Sequence, residues 1–192
     1  MTTQEKSAPA PPHAPHVEIR EMELEDLAEV FHLGERLFTA EEVPNLHRTW
    51  DEYEVTDFFQ GEPELCLVAE HEDRIVGFAL GTTIDKRRSA WKYGHLVWLG
   101  VDPDHARHGL GARLFRWLRQ RMEDDGVRMI IVDTEADNEG ALAFFRDLGF
   151  GHPKEHVYLS LNLSHLRATN GGNGAPKAAS SSAQEGKEPA PK

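Results

Sequence analysis

Apolar positions along this chain follow two rhythms. Between Glu25 and Phe38, the residues Leu27, Val30, Phe31, Gly34 and Leu37 recur at three- and four-residue steps, which is one face of an amphipathic helix. The same period returns at Leu110, Leu114, Leu118 and Met122, with Phe115 beside them, and predicts a helix of about three to four turns. Residues Thr49 to Phe59 predict a further helix, with Thr49 and Glu52 at capping-box spacing. A short helix follows Asp137 or Asn138 as cap and stops at Gly149. Shorter apolar runs at Val17 to Arg20, Leu65 to Glu70, Ile75 to Ile84, His95 to Val101, Arg128 to Val132 and Val157 to Leu163 read as strands. The second and third pair as a hairpin across His71-Glu72-Asp73-Arg74, and Arg128 to Val132 reads as a buried strand. Alternation puts Val97, Leu99 and Val101 on the face of His95, with Leu96 and Trp98 on the other, so Trp98 belongs to the core.

This order of elements, without an internal repeat, predicts an α/β (α+β) fold with a mixed, largely antiparallel central sheet flanked by helices. The 192 residues suffice for one domain with a sizeable core. Residues 1–16 are proline-rich, and residues 164–192 are rich in Gly, Ala, Ser, Pro and Lys. Neither stretch holds enough apolar surface to offset chain entropy, so both read as disordered tails around a folded 17–163.

Charge narrows the function classes. The net charge is −12, and residues 17–163 hold 30 acidic against 16 basic side chains. Such a surface argues against nucleic-acid binding and suits a cationic substrate such as an amine, although solubility alone also explains it. The single cysteine, Cys66, excludes an internal disulfide and lies in an apolar run, as a buried core residue rather than a nucleophile. No stretch of about 18 apolar residues predicts a membrane span, and the polar N-terminus lacks a signal-peptide apolar region. The expectation is a cytoplasmic protein. Its eleven histidines are scattered without ligand-like pairing, so no metal is expected.

The chemistry concentrates in Val101-Asp102-Pro103-Asp104-His105-Ala106-Arg107-His108-Gly109-Leu110-Gly111-Ala112. A strand stops at a proline, and two glycines open a helix. The unpaired N–H groups of a first helical turn, with the helix dipole, hold an anion without lysines. The spacing is neither a P-loop nor a dinucleotide fingerprint. On this fragment alone, an anion cradle and a plain tight turn stand equal. Arg113 is near enough to the turn to approach a phosphate. The other helix arginines, Arg116, Arg119 and Arg121, read mostly as surface charges.

With Asn138-x-x-Ala141-x-x-Phe144-Phe145-x-x-x-Gly149-Phe150 added downstream of Leu99-Gly100-Val101 and Gly109-Leu110-Gly111-Ala112, the chain resembles the GNAT superfamily of acyl-CoA-dependent N-acetyltransferases, in particular its RimI-like N-terminal acetyltransferases. The resemblance is strong over the second half of the folded region. Over the first half it rests on element order.

The resemblance implies acetyl-CoA as cosubstrate. Its pyrophosphate would lie on the backbone N–H groups of Arg107, His108, Gly109, Gly111 and Ala112, and its pantothenate arm beside Leu99 to Val101. An N–H near Val101 would bind the acetyl carbonyl, and Asn138 would contact the arm, cap its helix, or both. Ala106 stands where members usually carry Gln or Arg. Phe145 stands where many carry the tyrosine proposed as general acid, with Tyr93 and Tyr158 the remaining phenols near by. His95 corresponds to a catalytic glutamate of histone-type members. An imidazole accepts a proton near neutral pH, so it is the first candidate base, against a solvent-facing strand end. Glu135 is the second, or only attracts the amine. Trp91 and Tyr93 would line the acceptor site, which the segment Thr39 to Trp50 and the strand 157–163 would shape. The implied activity is acetyl transfer to a primary amine, a protein or peptide α-amine first. The alternatives are a small-molecule amine acetyltransferase and a non-catalytic acyl-CoA-binding module. The sequence does not give the oligomeric state.

Overall fold

In a computed structural model, residues 17–39, 50–85 and 91–154 are described. They form five strands and four helices. Strand β1 (Glu18–Glu21) leads through a 3-10 turn at Leu24–Asp26 into α1 (Leu27–Leu37). Helix α2 (Glu52–Gly61) and a second 3-10 turn at Pro63–Leu65 precede β2 (Cys66–His71) and β3 (Arg74–Asp85). Strand β4 (Lys92–Val101) is followed by α3 (Leu110–Asp124), β5 (Val127–Ile131) and α4 (Glu139–Asp147). The predicted tails, the strand 157–163 with Tyr158, and residues 40–49 of the acceptor segment lie outside the described residues.

The sheet has the order β1-β2-β3-β4-β5. It is antiparallel except for the parallel pair β4–β5, as the mixed, largely antiparallel reading expects. The hairpin turn is Glu72-Asp73, both at positive φ (51° and 58°), the two-residue geometry that matches strand twist. Helix α2 starts later than expected. Asp51, not Thr49, caps it, its carboxylate accepting from the Glu54 N–H at 2.8 Å. A carboxylate is as good a cap as a hydroxyl, and Asp51 stands one residue before the first helical position.

Two cores lie on opposite faces of the sheet. On one face, Leu67, Ala69, Ala79 and Leu96 pack against Leu110, Leu114, Phe115, Leu118 and Met122 of α3. On the other, Cys66, Val68, Phe78, Leu80 and Trp98 pack against Val30 and Leu33 of α1 and Val55 of α2. There the Trp50 indole stacks on Phe78, meets Trp98 edge-on, and donates to the Phe31 carbonyl at 2.9 Å. It occupies the space where a Cβ on Gly34 would stand.

The expected alternation in β4 fails. Leu96 belongs to the α3 core and Trp98 to the α1/α2 core, so they do not share a face. The cause is a β-bulge: Leu80 pairs with Trp98 and Gly81 with Leu96, which leaves Val97 as the extra residue. After it, Leu99 and Val101 pack on the α3 core. Before it, a Cβ on Gly94 would meet Met122 of α3, so the neighbouring His95 points to the α1/α2 face, away from Leu99 and Val101. Trp98 is core, 7% exposed, as expected. Strand β5 is less buried than expected. Met129 and Ile131 are 47% and 39% exposed, and among the described residues β5 pairs with β4 alone.

Candidate active site

The turn before α3 is built from two left-handed residues. Arg107 has φ 64° and Gly109 has φ 74°. Such alternation turns successive N–H groups toward one point, and a side chain at Gly109 would hold this conformation under strain. Gly109 is the N-cap of α3, with no side-chain cap hydrogen bond and no acidic residue in the first turn. The first internal bond is Arg113 N–H to the Gly109 carbonyl at 3.0 Å. The N–H groups of Arg107, His108, Gly109, Leu110, Gly111 and Ala112 thus have no acceptor among the described residues. Arg113 donates to the Val17 carbonyl at 2.8 Å.

Gly111 is where the motifs meet. A Cβ there would stand 3.4 Å from the Phe144 ring and 3.7 Å from Val101 Cγ2. The start of α3, the end of β4 and α4 therefore converge. Asn138 is the N-cap of α4, its carbonyl oxygen accepting from the Ala141 N–H at 2.9 Å. Phe145 packs on the α3 core and edge-on to Phe150.

The parallel pairing of β4 and β5 runs from Lys92↔Val127 to His95↔Ile131 and stops there. Beyond His95, that edge of β4 has no strand partner among the described residues. The opening begins at His95, and the turn at residues 107–112 follows the far end of the same strand. Six residues of strand separate His95 from Val101, about 20 Å at a rise of about 3.3 Å per residue.

His95 meets Asp133, with Nε2 2.8 Å from Oδ1 and side chains 15% and 38% exposed. Asp133 was not among the sequence candidates. Its signal was the alternation of the preceding strand. Ile131 pairs with His95, Val132 packs on the α3 core, and Asp133 returns to the His95 face. Glu135, the second candidate base, makes no side-chain hydrogen bond to a described residue, and its carbonyl accepts from the Asn138 N–H at 3.1 Å.

Opposite His95 on β3 stands Thr82, whose hydroxyl donates to Glu62, as do the hydroxyl and the N–H of Thr83. Burial pushes the Glu62 carboxyl up, and the three hydrogen bonds together outweigh it and hold its pKa below the ordinary value. Glu54, Asp57, Phe58, Gly61, Glu62 and Thr82 line an open cleft of about 270 Å³. The Trp98 indole donates to Glu54 across 3.0 Å. Trp91 is 48% exposed. Cys66 is fully buried, and burial, followed by the charges of Glu64 and Glu62, pushes its thiol up to about 12, which removes it as a nucleophile. Among the described residues no group of three His, Cys, Asp or Glu side chains gathers as a metal site, and no helix is long and apolar enough to cross a membrane.

The profile of the acetyltransferase (GNAT) family matches residues 27–150. N-alpha-acetyltransferase 30 of Homo sapiens is 26% identical over 118 residues, which are 62% of this chain and 32% of that protein. The [ribosomal protein bS18]-alanine N-acetyltransferase of Salmonella typhimurium is 32% identical over 91 residues, 47% of this chain and 57% of that one. The chain spans less than two thirds of either relative's length. A crystal structure of the NatC complex bound to Gag peptide and CoA shares the fold, with a TM-score of 0.61 at 20% identity over 72% of this chain and 86% of that one. With a family match that covers cradle, strand opening and α4 together, the chain belongs to the GNAT acetyltransferase family.

Proposed function

We propose that this chain transfers the acetyl group of acetyl-CoA to the α-amine of a protein or peptide. The observation that carries the reading is the run of N–H groups at residues 107–112 that have no acceptor among the described residues, set against the edge of β4 that no described strand pairs. A pyrophosphate fits this cradle, because main-chain donors converge, glycine leaves the approach clear, and no carboxylate of the first helical turn competes. Leu99 and Val101 offer an apolar wall beside it, and the side-chain amide nitrogen of Asn138 is a donor its capping role does not use. When bound, acetyl-CoA supplies an activated thioester.

His95 is the base in this reading. It accepts the proton of the incoming ammonium, directly or through one water. Glu54, Asp57 and Glu62 lie on the same side of the sheet and give that approach a negative potential, which draws a cationic amine. Phe145 has no proton to donate, so no side chain is assigned as the acid for the departing thiol. That substitution also favours a second reading, in which the domain binds acyl-CoA without turnover.

The test is mass spectrometry on the purified protein with acetyl-CoA and three acceptor sets: peptides with free α-amines, the same peptides blocked at the α-amine but carrying lysine, and small polyamines. Acetylation of the first set at the α-amine supports the proposal. Acetylation only of lysine or of polyamines overturns the acceptor class. Tight CoA binding with no acetylated product replaces the enzyme with the binding module.

A further inference from the structure

Between the end of β4 and the cradle lies a 3-10 turn, Pro103–His105, organised by Asp102. The Asp102 carboxylate accepts from the Asp104 N–H at 3.0 Å, and its carbonyl accepts from the His105 N–H at 2.9 Å. The Asp102 N–H in turn donates to the Val76 carbonyl at 2.9 Å, which fixes the turn to β3. The His105 ring lies against His71 of β2, with centroids 5.3 Å apart and the planes at 63°. Its Nδ1 is buried without a hydrogen-bond partner among the described residues. Asp102 Oδ1 is 3.8 Å away, too far for a hydrogen bond. Buried polar atoms in folded proteins are nearly always paired, so this nitrogen calls for an explanation.

Charge supplies one. Imidazole is the side chain that changes charge between about pH 5 and 8. In the imidazolium both nitrogens carry protons, whichever tautomer the neutral ring holds. A charged His105 therefore presents a donor at Nδ1 to the Asp102 carboxylate. The other charged groups here are Asp104 on the same turn, Arg36 of α1 at 3.4 Å from Asp102, and the hairpin with His71, Glu72, Asp73 and Arg74. Glu72 is 3.9 Å from His71 Nε2. Two charged rings at 5.3 Å repel, so the pair takes up one proton first. Asp102, 18% exposed, holds it on His105 more strongly than Glu72, 85% exposed, holds it on His71, because water screens the exposed carboxylate.

We propose that His105 is a positioning residue of the CoA turn: protonated, it closes on Asp102, braces the chain leading into residues 107–112, and tightens the hold on CoA. This rests on the turn at residues 107–112 as the CoA cradle. Arg107, two residues after His105, is left-handed at φ 64° without being glycine. Such a residue keeps its conformation only where its surroundings hold it, and the Asp102 turn is the support on its N-terminal side. The proton comes from solvent to the ring, and no other bond forms or breaks. The added positive charge also favours an anionic cosubstrate, so both effects strengthen binding as pH falls.

The test is calorimetric titration of CoA into the full chain between pH 5.5 and 8, for the wild type, His105→Gln and His71→Gln. From pH 8 to 5.5 the wild-type affinity is expected to gain about five-fold more than that of His105→Gln, a coupling of ordinary size for linked sites. Changes in the CoA phosphates and in His108 are common to both proteins and cancel in this ratio. Repeating the titrations in buffers of different ionisation enthalpy counts the protons taken up on binding. The wild type and His71→Gln are expected to take up more than His105→Gln, a difference that a merely structural role would not produce.

Equal pH dependence and equal proton uptake in the wild type and His105→Gln overturn the proposal. So does loss of the dependence in His71→Gln with its retention in His105→Gln, which moves the proton to the other ring. If His105→Gln does not fold, Asp102→Asn decides, because it keeps an oxygen for the Asp104 N–H and removes the charge. Loss of the pH dependence there is expected, and the full wild-type dependence counts against. Wild-type CoA affinity in Gly109→Val removes the cradle, and the proton count of His105→Gln still decides whether His105 is linked to CoA.

Discussion

Asp26 is the buried charge among the described residues, 8% exposed. Arg20 grips it through both guanidinium arms at 2.6 and 2.9 Å and reaches Glu70 through Nε at 2.8 Å, while the Glu23 N–H donates to Asp26 at 2.8 Å. Burial raises the Asp26 pKa, and the Arg20 hydrogen bonds, the Glu23 N–H and the Arg20 charge together carry it below the ordinary value. A carboxyl with a depressed folded pKa stabilises the fold above its unfolded pKa, and that contribution is lost as pH falls through the folded one. Asp26→Asn is therefore expected to cost about 2 kcal/mol at neutral pH. The gap to wild type should narrow below about pH 4, where an ordinary aspartate protonates. Urea denaturation across that range checks it, and a gap independent of pH counts against the ion-pair explanation.

At the scale of elements, α4 separates two roles of one residue. Asn138 caps the helix through its oxygen, and its amide nitrogen faces the proposed cofactor role. Asn138→Asp keeps a capping oxygen and loses the donor. Thermal stability should hold while CoA binding weakens. Asn138→Ala should lose both, with about 1 kcal/mol from the missing cap. Melting curves and CoA titrations of the two variants distinguish the roles, and wild-type CoA affinity in Asn138→Asp would leave Asn138 as a cap alone. Elements whose signals are local were legible in the sequence. The α3 stripe Leu110, Leu114, Leu118, Met122 is buried as its period predicts, and the Glu72-Asp73 turn closes the expected hairpin. What was not legible depends on pairing. The bulge at Val97 is a mismatch between β3 and β4 and leaves no mark in β4 alone. It reversed the inferred faces of His95 and Leu99. The sequence alone points to Glu135, whereas the end of β5, not the residue types, sets Asp133 as the carboxylate that meets the ring.

At the scale of the molecule, the sheet divides the work. Its α3 side holds the cradle, Leu99, Val101 and the α4 contacts, and its α1/α2 side holds His95, Asp133 and the acidic cleft. Between those sides, the pairing of β4 and β5 ends at His95↔Ile131. In the proposed reading, cosubstrate and amine approach from opposite faces and meet there. The net charge of −12 suits a cationic acceptor, and the anionic cosubstrate then needs a dedicated cradle rather than a general field. The central claim is that this cradle is the turn at 107–112. Isothermal titration of CoA into the wild type and Gly109→Val tests it most directly. No described atom lies within 4 Å of a Cβ built on Gly109, so the substitution meets no protein neighbour. It adds about 1–2 kcal/mol of left-handed strain and blocks the approach to the N–H groups. The expected result is saturable CoA binding by the wild type and none by a folded Gly109→Val. Equal CoA affinity in the two proteins would contradict the account.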